Sequence, residues 1–264
     1  MTFASLGNQL KNTLNQRFSP REIHSIHYRF LESVCNVSIA EIIANPKRPL
    51  SASEAAQIIA LETKLLEGVP LQYALGNALF YGLKLKCSPA ALIPRPETEE
   101  LVAWVLSNSV LSEETVMDIG TGTGIIPISL KKLHPNWSLF GLDISKNALR
   151  LASNNAQKLN AAIQFVNENI FAYESTKNFD IIISNPPYIP REECLNLDES
   201  VRTFEPILAL EVPDEDPLLF YKAILTFSLK HLTKNGCLYL EIHQNFGEEM
   251  LKLVSPHFAN CTLK

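Results

Sequence analysis

Val116-Met117-Asp118-Ile119-Gly120-Thr121-Gly122-Thr123-Gly124 is an apolar strand running into three alternate glycines, and the helical period of Ile125 to Leu133 follows at once. Glycine permits tight turning and close approach of backbone to a ligand, while a helix N-terminus presents amide N–H groups. The next strand, Ser138 to Leu142, leads into Asp143, 19 residues past Gly124, where a carboxylate can accept two hydrogen bonds from a ribose diol. Together these residues imply an adenine nucleoside cofactor held by Gly120, Thr121, Gly122, Thr123, Gly124 and Asp143. A dinucleotide fingerprint spaces its glycines G-x-G-x-x-G; this run is G-x-G-x-G with an acid, Asp118, just ahead. For Asp118, cofactor contact and a strand-end turn cap both stay open.

Around this unit the chain alternates strand and helix. Ser145 to Leu159 reads as a helix, and Ile163 to Val166, Phe179 to Ser184 and Cys237 to Ile242 as strands. Strands separated by helices of this length predict an α/β fold with a mostly parallel sheet and helices on both faces. Upstream, residues 1–75 look helical, with Ile23, Ile26, Tyr28, Phe30, Leu31 and Val34, then Ile39, Ile42 and Ile43, returning at three- and four-residue steps. Ser51 stands three residues before Glu54 as in a capping box. Residues 76–98 read as a β-hairpin and linker, with Phe80 to Lys86 alternating and Pro89, Pro94 and Pro96 excluding helix. The expected organisation is a helical domain that docks or covers something (1–75), the hairpin linker (76–98) and an α/β domain (99–264).

Asn185-Pro186-Pro187-Tyr188 directly follows the strand Phe179 to Ser184. A residue before proline is pushed into extended conformations, and proline fixes its own φ and lacks an N–H. Asn185 and Pro186 both precede a proline, so the Asn185 amide oxygen and the Pro186 carbonyl can converge on one planar NH2 group, with the Tyr188 ring packed against it. An isolated tetrapeptide of this kind also serves simply to end a strand.

The composition narrows the partners. A net charge of -5, with 23 basic and 28 acidic residues, argues against affinity built on phosphate contacts. The five cysteines are scattered, without a Cys-x-x-Cys pair, and read as reduced thiols rather than a disulfide framework or zinc site. His24 and His27 share a helix face but lack further ligands nearby, so no metal is expected. No run approaches the roughly 18 apolar residues of a membrane span, and the N-terminus lacks a signal-peptide core. A cytoplasmic monomer is expected, with no membrane or direct nucleic-acid partner.

The glycine run with Asp118 resembles the first motif of class I S-adenosylmethionine methyltransferases, whose Rossmann-like domain carries an Asp/Asn-Pro-Pro-Tyr/Phe motif after its fourth strand. Such pairs of motifs occur in enzymes acting on adenine N6, on guanine N2 and on glutamine side chains. Gly68-Val69-Pro70-Leu71-Gln72-Tyr73, Gly76, Phe80, Gly82 and Leu92-Ile93-Pro94-Arg95-Pro96-Glu97-Thr98-Glu99 closely resemble the HemK-like release-factor glutamine methyltransferases. So do Phe204-Glu205-Pro206, Ala209-Leu210 and Leu240-Glu241-Ile242.

The resemblance implies methyl transfer from S-adenosylmethionine, leaving S-adenosylhomocysteine, to the side-chain nitrogen of the glutamine in the Gly-Gly-Gln motif of class I peptide chain release factors. It implies Asn185 and Pro186 as the catalytic pair, Pro187 and Tyr188 beside the substrate, and Asn169, Ile170 and Asn185 on the cofactor. A ribosomal protein, or a nucleic-acid base amine, is the alternative acceptor. Glu168-Asn169-Ile170-Phe171 departs from the family's Ser-Asp followed by an apolar or aromatic residue and Phe: Asn169 can still pair with the adenine amino group through its oxygen, while Ile170 covers the ring less broadly than an aromatic residue. His243 stands where glycine is usual, and the sequence stops at Lys264, before the last strand such folds carry, which leaves the final sheet edge open.

Overall fold

The computed structural model describes residues 1–109 and 111–264. The chain divides into two compact units, Met1–Gly76 and Asn77–Lys264, each built on its own apolar core.

The first unit is helical: α1 (Phe3–Leu14), α2 (Pro20–Cys35), α3 (Ile39–Ala44), α4 (Ala52–Leu66) and α5 (Leu71–Leu75). The expected periodicity holds for Ile23, Ile26, Phe30, Leu31 and Ile42, which are buried with Phe3, Leu6, Leu10 and Leu14 in one core. Ile39 and Ile43 instead remain exposed, because α3 is under two turns long and buries only Ile42. Ser51 and Glu54 close the anticipated capping box at α4, and Ser19 with Glu22 and Ser38 with Glu41 do the same at α2 and α3. Each box satisfies two orphan amides, so these helix starts are written locally; α5, which begins after Pro70, has no side-chain cap.

The second unit opens with the hairpin β1 (Asn77–Phe80) and β2 (Leu83–Lys86). Its two-residue turn, Tyr81-Gly82, has φ of 48° and 74° and lies inside the run that alternation alone reads as one strand. Positive φ at both central positions matches the twist of a hairpin, and the Tyr81 N–H donates to Glu99 Oε1 at 2.8 Å. Helix α6 (Pro96–Asn108) follows, beginning at its own proline, where the missing N–H costs nothing.

The remaining elements are β3 (Thr115–Ile119), α7 (Ile125–Leu133), β4 (Ser138–Asp143), α8 (Lys146–Lys158), β5 (Ile163–Asn167), β6 (Phe179–Ser184), β7 (Ile189–Pro190), α9 (Arg191–Cys194), α10 (Glu199–Phe204), β8 (Glu211–Val212), α11 (Leu219–His231), β9 (Leu232–Leu240) and α12 (Gly247–Val254). Five strands form one sheet in the order β5-β4-β3-β6-β9, parallel throughout. Side chains alternate across it: Val116, Leu139, Ile181 and Ile183 pack with Leu101, Val102 and Ile128 of α6 and α7, whereas Met117, Phe140 and Ile182 pack with Ile224 and Phe227 of α11. Chain order reverses between β3 and β6, the switch point at which such sheets bind ligands.

The last strand departs from expectation. It spans Leu232–Leu240, not Cys237–Ile242, starting directly after α11 with a bulge that passes from Phe179↔Leu232 to Ile181↔Cys237. Thr233-Lys234-Asn235-Gly236 has the composition of a turn, yet the Thr233 hydroxyl donates to Asp180 Oδ1 at 3.1 Å and holds the bulge against β6. Past Leu240 the Glu241 N–H donates to the Ser184 carbonyl at 3.0 Å, and Ile242 lies outside the ladder. Among the described residues the sheet ends at β9.

Candidate active site

A cavity of about 380 Å³ lies at the carboxyl ends of β3, β4 and β6, a size suited to a small organic ligand. Its wall includes Gly120, Thr121, Gly122, Thr123, Asp143, Asn169, Ile170, Asn185, Pro186 and Pro187. Asp118, Gly124 and Tyr188 are not part of that wall.

The glycine turn is folded by its own amides. The N–H groups of Gly120 and Thr121 donate to the Leu142 carbonyl at 2.8 and 2.9 Å, and that of Gly124 donates to Thr121 at 2.8 Å. Gly122 N–H donates to Asp143 Oδ2 at 2.9 Å. Gly120, Gly122 and Gly124 have φ of 75°, 54° and 76°, conformations that cost other residues roughly 1–2 kcal/mol each. Three of these four amides are therefore spent on the end of β4 and one inside the turn, instead of being aimed outward as an anion cradle.

Asp143 accepts one N–H on each oxygen, from Gly122 and, at 2.8 Å, from Ser145. Burial pushes its carboxyl up, and those bonds oppose the shift. A carboxylate offers about four lone-pair sites, so two remain for a diol. Asn167 of β5 donates its amide to the carbonyls of Asp143 and Ile144 at 3.0 and 2.9 Å and fixes the loop that carries the acid. Asn169 is exposed, and its Oδ1 accepts the Phe171 N–H at 3.1 Å, so its oxygen caps its own turn besides any adenine it meets. Ile144, Ile170, Phe220 and Ile224 give this end of the cavity apolar walls.

Asp118 is wholly enclosed, and neither carboxylate oxygen has a hydrogen-bond partner among the described residues. Burial drives its pKa up to about 7; the Thr121 hydroxyl opposes that rise and Asp143 adds to it. Its register partner is Gly141, where a Cβ would stand 2.9 Å from both Phe165 and the Thr121 hydroxyl.

Asn185 to Tyr188 leave the end of β6. Asn185 Nδ2 donates to the Thr98 hydroxyl at 3.1 Å, Thr98 Oγ1 donates to Glu241 Oε2 at 2.7 Å, and the Tyr188 hydroxyl donates to Glu241 Oε1 at 3.3 Å. Burial, more than the charges of Glu241 and Glu97, raises the Tyr188 hydroxyl to about 12, so it remains a donor. Burial likewise raises Glu241, against the donors Thr98, Tyr188 and Asn185. Asn185 and Pro186 both line the cavity, and the Asn185 hydrogen bond to Thr98 uses Nδ2, not Oδ1.

The segment before α6 closes one side. Glu205, itself buried, accepts the Ile93 N–H at 3.0 Å and the Arg95 guanidinium at 2.6 Å. Asn155 of α8, fully buried, accepts the Lys86 N–H at 2.8 Å and donates to the carbonyls of Lys86 and Thr123, both at 3.1 Å. It ties the hairpin to the glycine turn. Thr98, Glu241, Asn155 and Asn167 carry no site assignment from sequence reasoning. Thr98, Glu205 and Glu241 do lie inside quoted motifs, and Asn155 is a polar residue on the buried stripe of Ala148, Leu151 and Ala152. No group of three or more His, Cys, Asp or Glu among the described residues could hold a metal, and no helix there is long and apolar enough to cross a membrane.

The parallel sheet, the glycine turn and Asp143 around one cavity are those of a class I S-adenosylmethionine-dependent methyltransferase, and the chain is one. The family model described as the methyltransferase small domain matches residues 98–198, and the PrmC N-terminal domain model matches residues 6–76. A release factor glutamine methyltransferase from Flavobacterium psychrophilum is 38% identical, covering 100% of this chain and 95% of its own length. Proteins of the same name from Bacteroides thetaiotaomicron (34%; 93% of this chain, 88% of its own length) and Enterococcus faecalis (37%; 92% and 87%) are similar too. The chain belongs to the release factor glutamine methyltransferase family.

Proposed function

We propose that this chain methylates the side-chain nitrogen of the glutamine in the Gly-Gly-Gln motif of class I peptide chain release factors. The observation that carries the reading is that Asn185 and Pro186 line the cavity together while Asn185 spends its Nδ2 on Thr98, which leaves Oδ1 and the Pro186 carbonyl as acceptors. A primary amide presents two N–H donors in one plane, and these two acceptors match them. Pro186 and Pro187 lack N–H groups, so no neighbouring donor competes for either oxygen.

When bound, S-adenosylmethionine supplies an electrophilic methyl group on its sulfonium. Asp143 would accept from the ribose diol, the turn Gly120–Gly124 would hold the methionine tail, and Ile170 would cover the adenine. An amide nitrogen is a weak nucleophile, since its lone pair is delocalised into its carbonyl. Asn185 and Pro186 turn that nitrogen toward the methyl group, and their oxygens stabilise the positive charge that grows on it. Orientation of this kind contributes on the order of 7–11 kcal/mol to a bimolecular step. No side-chain base is needed, because an N-alkylated amide cation loses its proton to water. The enzyme is read as a cytoplasmic monomer, in the compartment where release factors act.

The test is transfer of labelled methyl to release factor, a ribosomal protein and DNA in parallel, with a Gln→Ala release factor as control. Label on the intact release factor alone is expected. Label on the Gln→Ala control, or only on the ribosomal protein or DNA, would overturn the reading.

A further inference from the structure

We propose that Glu241, acting through the Thr98 hydroxyl, fixes which end of the Asn185 carboxamide meets the acceptor. The proposal rests on the reading of Asn185 as an acceptor of the substrate's amide hydrogens, and gives that reading a cause. A carboxamide is nearly symmetric in shape: rotation by 180° would swap Oδ1 for Nδ2 and present a donor to a group that is itself a donor. The tetrapeptide contains nothing that prevents this, since prolines constrain the backbone and not the Asn185 side chain.

The constraint comes from two other segments. Glu241 stands just past β9, where its N–H donates to the Ser184 carbonyl and its own carbonyl accepts the Tyr221 hydroxyl at 3.1 Å. Thr98 lies in the first turn of α6 and is buried. A carboxylate only accepts, whereas a hydroxyl has one hydrogen to give and two lone pairs. With Thr98 Oγ1 donating to Glu241 Oε2 at 2.7 Å, its hydrogen is spent and it can only accept from Asn185. Nδ2 must therefore face Thr98, as it does at 3.1 Å, with Glu241 drawing it the same way, and Oδ1 is turned away from both. The Tyr188 hydroxyl donates to the other carboxylate oxygen, which keeps Oε2 turned toward Thr98. Donation along such a chain also draws electron density toward the amide oxygen, strengthening it as an acceptor. Glu241 is thus a positioning residue, joining the otherwise unassigned Leu240-Glu241-Ile242 and Glu97-Thr98-Glu99 segments to the acceptor site.

Thr98→Val is isosteric and removes only the relay hydroxyl. In the full-length enzyme it is expected to lower kcat for release-factor methylation at least tenfold, with the KM for release factor and the Kd for S-adenosylmethionine within threefold of wild type. Thr98→Ser, which restores a hydroxyl, should recover most of that loss. Combining Thr98→Val with Glu241→Ala should cost no more than the larger single effect, because both break one chain. Heteronuclear NMR adds a readout independent of turnover: the Asn185 side-chain amide resonances should shift in Thr98→Val and Glu241→Ala alike. If Glu241→Ala does not fold, the Val and Ser variants at position 98 decide alone. Equal kcat for Thr98→Val and wild type, or losses that multiply, would overturn the relay. A wild-type enzyme that labels no release factor would instead sink the acceptor reading beneath it.

Discussion

Asn185 and Asp143 line the same cavity, but their surroundings assign them different energies. Asp143 is held by two backbone amides at the end of β4 and lines the cavity with Ile144 and Ile170. Asp143→Ala is expected to weaken S-adenosylmethionine binding at least tenfold by calorimetry; an unchanged Kd would remove it from the ribose site. Asn185→Ala takes away an acceptor that matters when charge develops, a loss that typically costs about 10²–10³ in rate. It should keep the cofactor Kd within threefold and lower kcat by about a hundredfold, and near wild-type turnover would contradict the two-acceptor geometry. Asp118 belongs to neither set. Its pKa of about 7 against an ordinary 3.8 means that between these values the folded state binds a proton which the unfolded state has released. Stability from this group therefore falls as pH rises through the window; the penalty is absent below about pH 4 and complete above pH 7, at about 1.4 kcal/mol per pKa unit. Asp118→Asn should flatten that slope, measured as the difference in denaturant midpoint between variant and wild type from pH 5 to pH 8. Parallel profiles would show that the buried acid does not titrate there.

At the scale of elements, what was legible depended on whether the cause was local. The β3 to α7 unit stands as expected at Thr115–Ile119 and Ile125–Leu133, because apolar strand, glycine turn and helical period are each encoded within a few residues. The bulged start of β9 was not legible, since Thr233 to Gly236 is held by Asp180, a residue more than fifty positions away. The hairpin turn was hidden for another reason: Tyr81 keeps the alternation of a strand while adopting φ of 48°. Gly124 shows how tightly the glycine turn is packed onto its neighbours. A Cβ there would lie 3.0 Å from the Cβ of Ala152 in α8 and 3.3 Å from Ile128 Cδ1, at a φ of 76°. Gly124→Ala combines left-handed strain with overpacking and should cost about 2–4 kcal/mol. The transition of the catalytic unit would then drop by roughly 5–10 °C, whereas a shift under 2 °C would mean that α7 and α8 yield easily.

The whole molecule separates chemistry from whatever else recognition requires. Every group that can accept from a ribose or an amide at the cavity comes from residues 77–264, and the cavity wall draws nothing from Met1–Gly76. That first unit still invests in order, with a dozen buried residues in its own core and a capping box at each of α1, α2, α3 and α4. A segment without chemistry but with an independent core is a candidate for holding a macromolecular substrate, and the PrmC N-terminal domain match covers almost all of it. The charge balance points the same way: with acidic residues in excess, a protein surface is a better partner than a phosphate backbone. Removing residues 1–76 is therefore expected to leave the S-adenosylmethionine Kd of the remaining unit within threefold while lowering kcat/KM for release factor at least tenfold. A short peptide carrying Gly-Gly-Gln, which offers nothing for the helical unit to hold, should lose far less. If peptide and intact release factor suffer equally, or if cofactor binding falls with them, the first unit is a folding support and recognition resides wholly at the cavity.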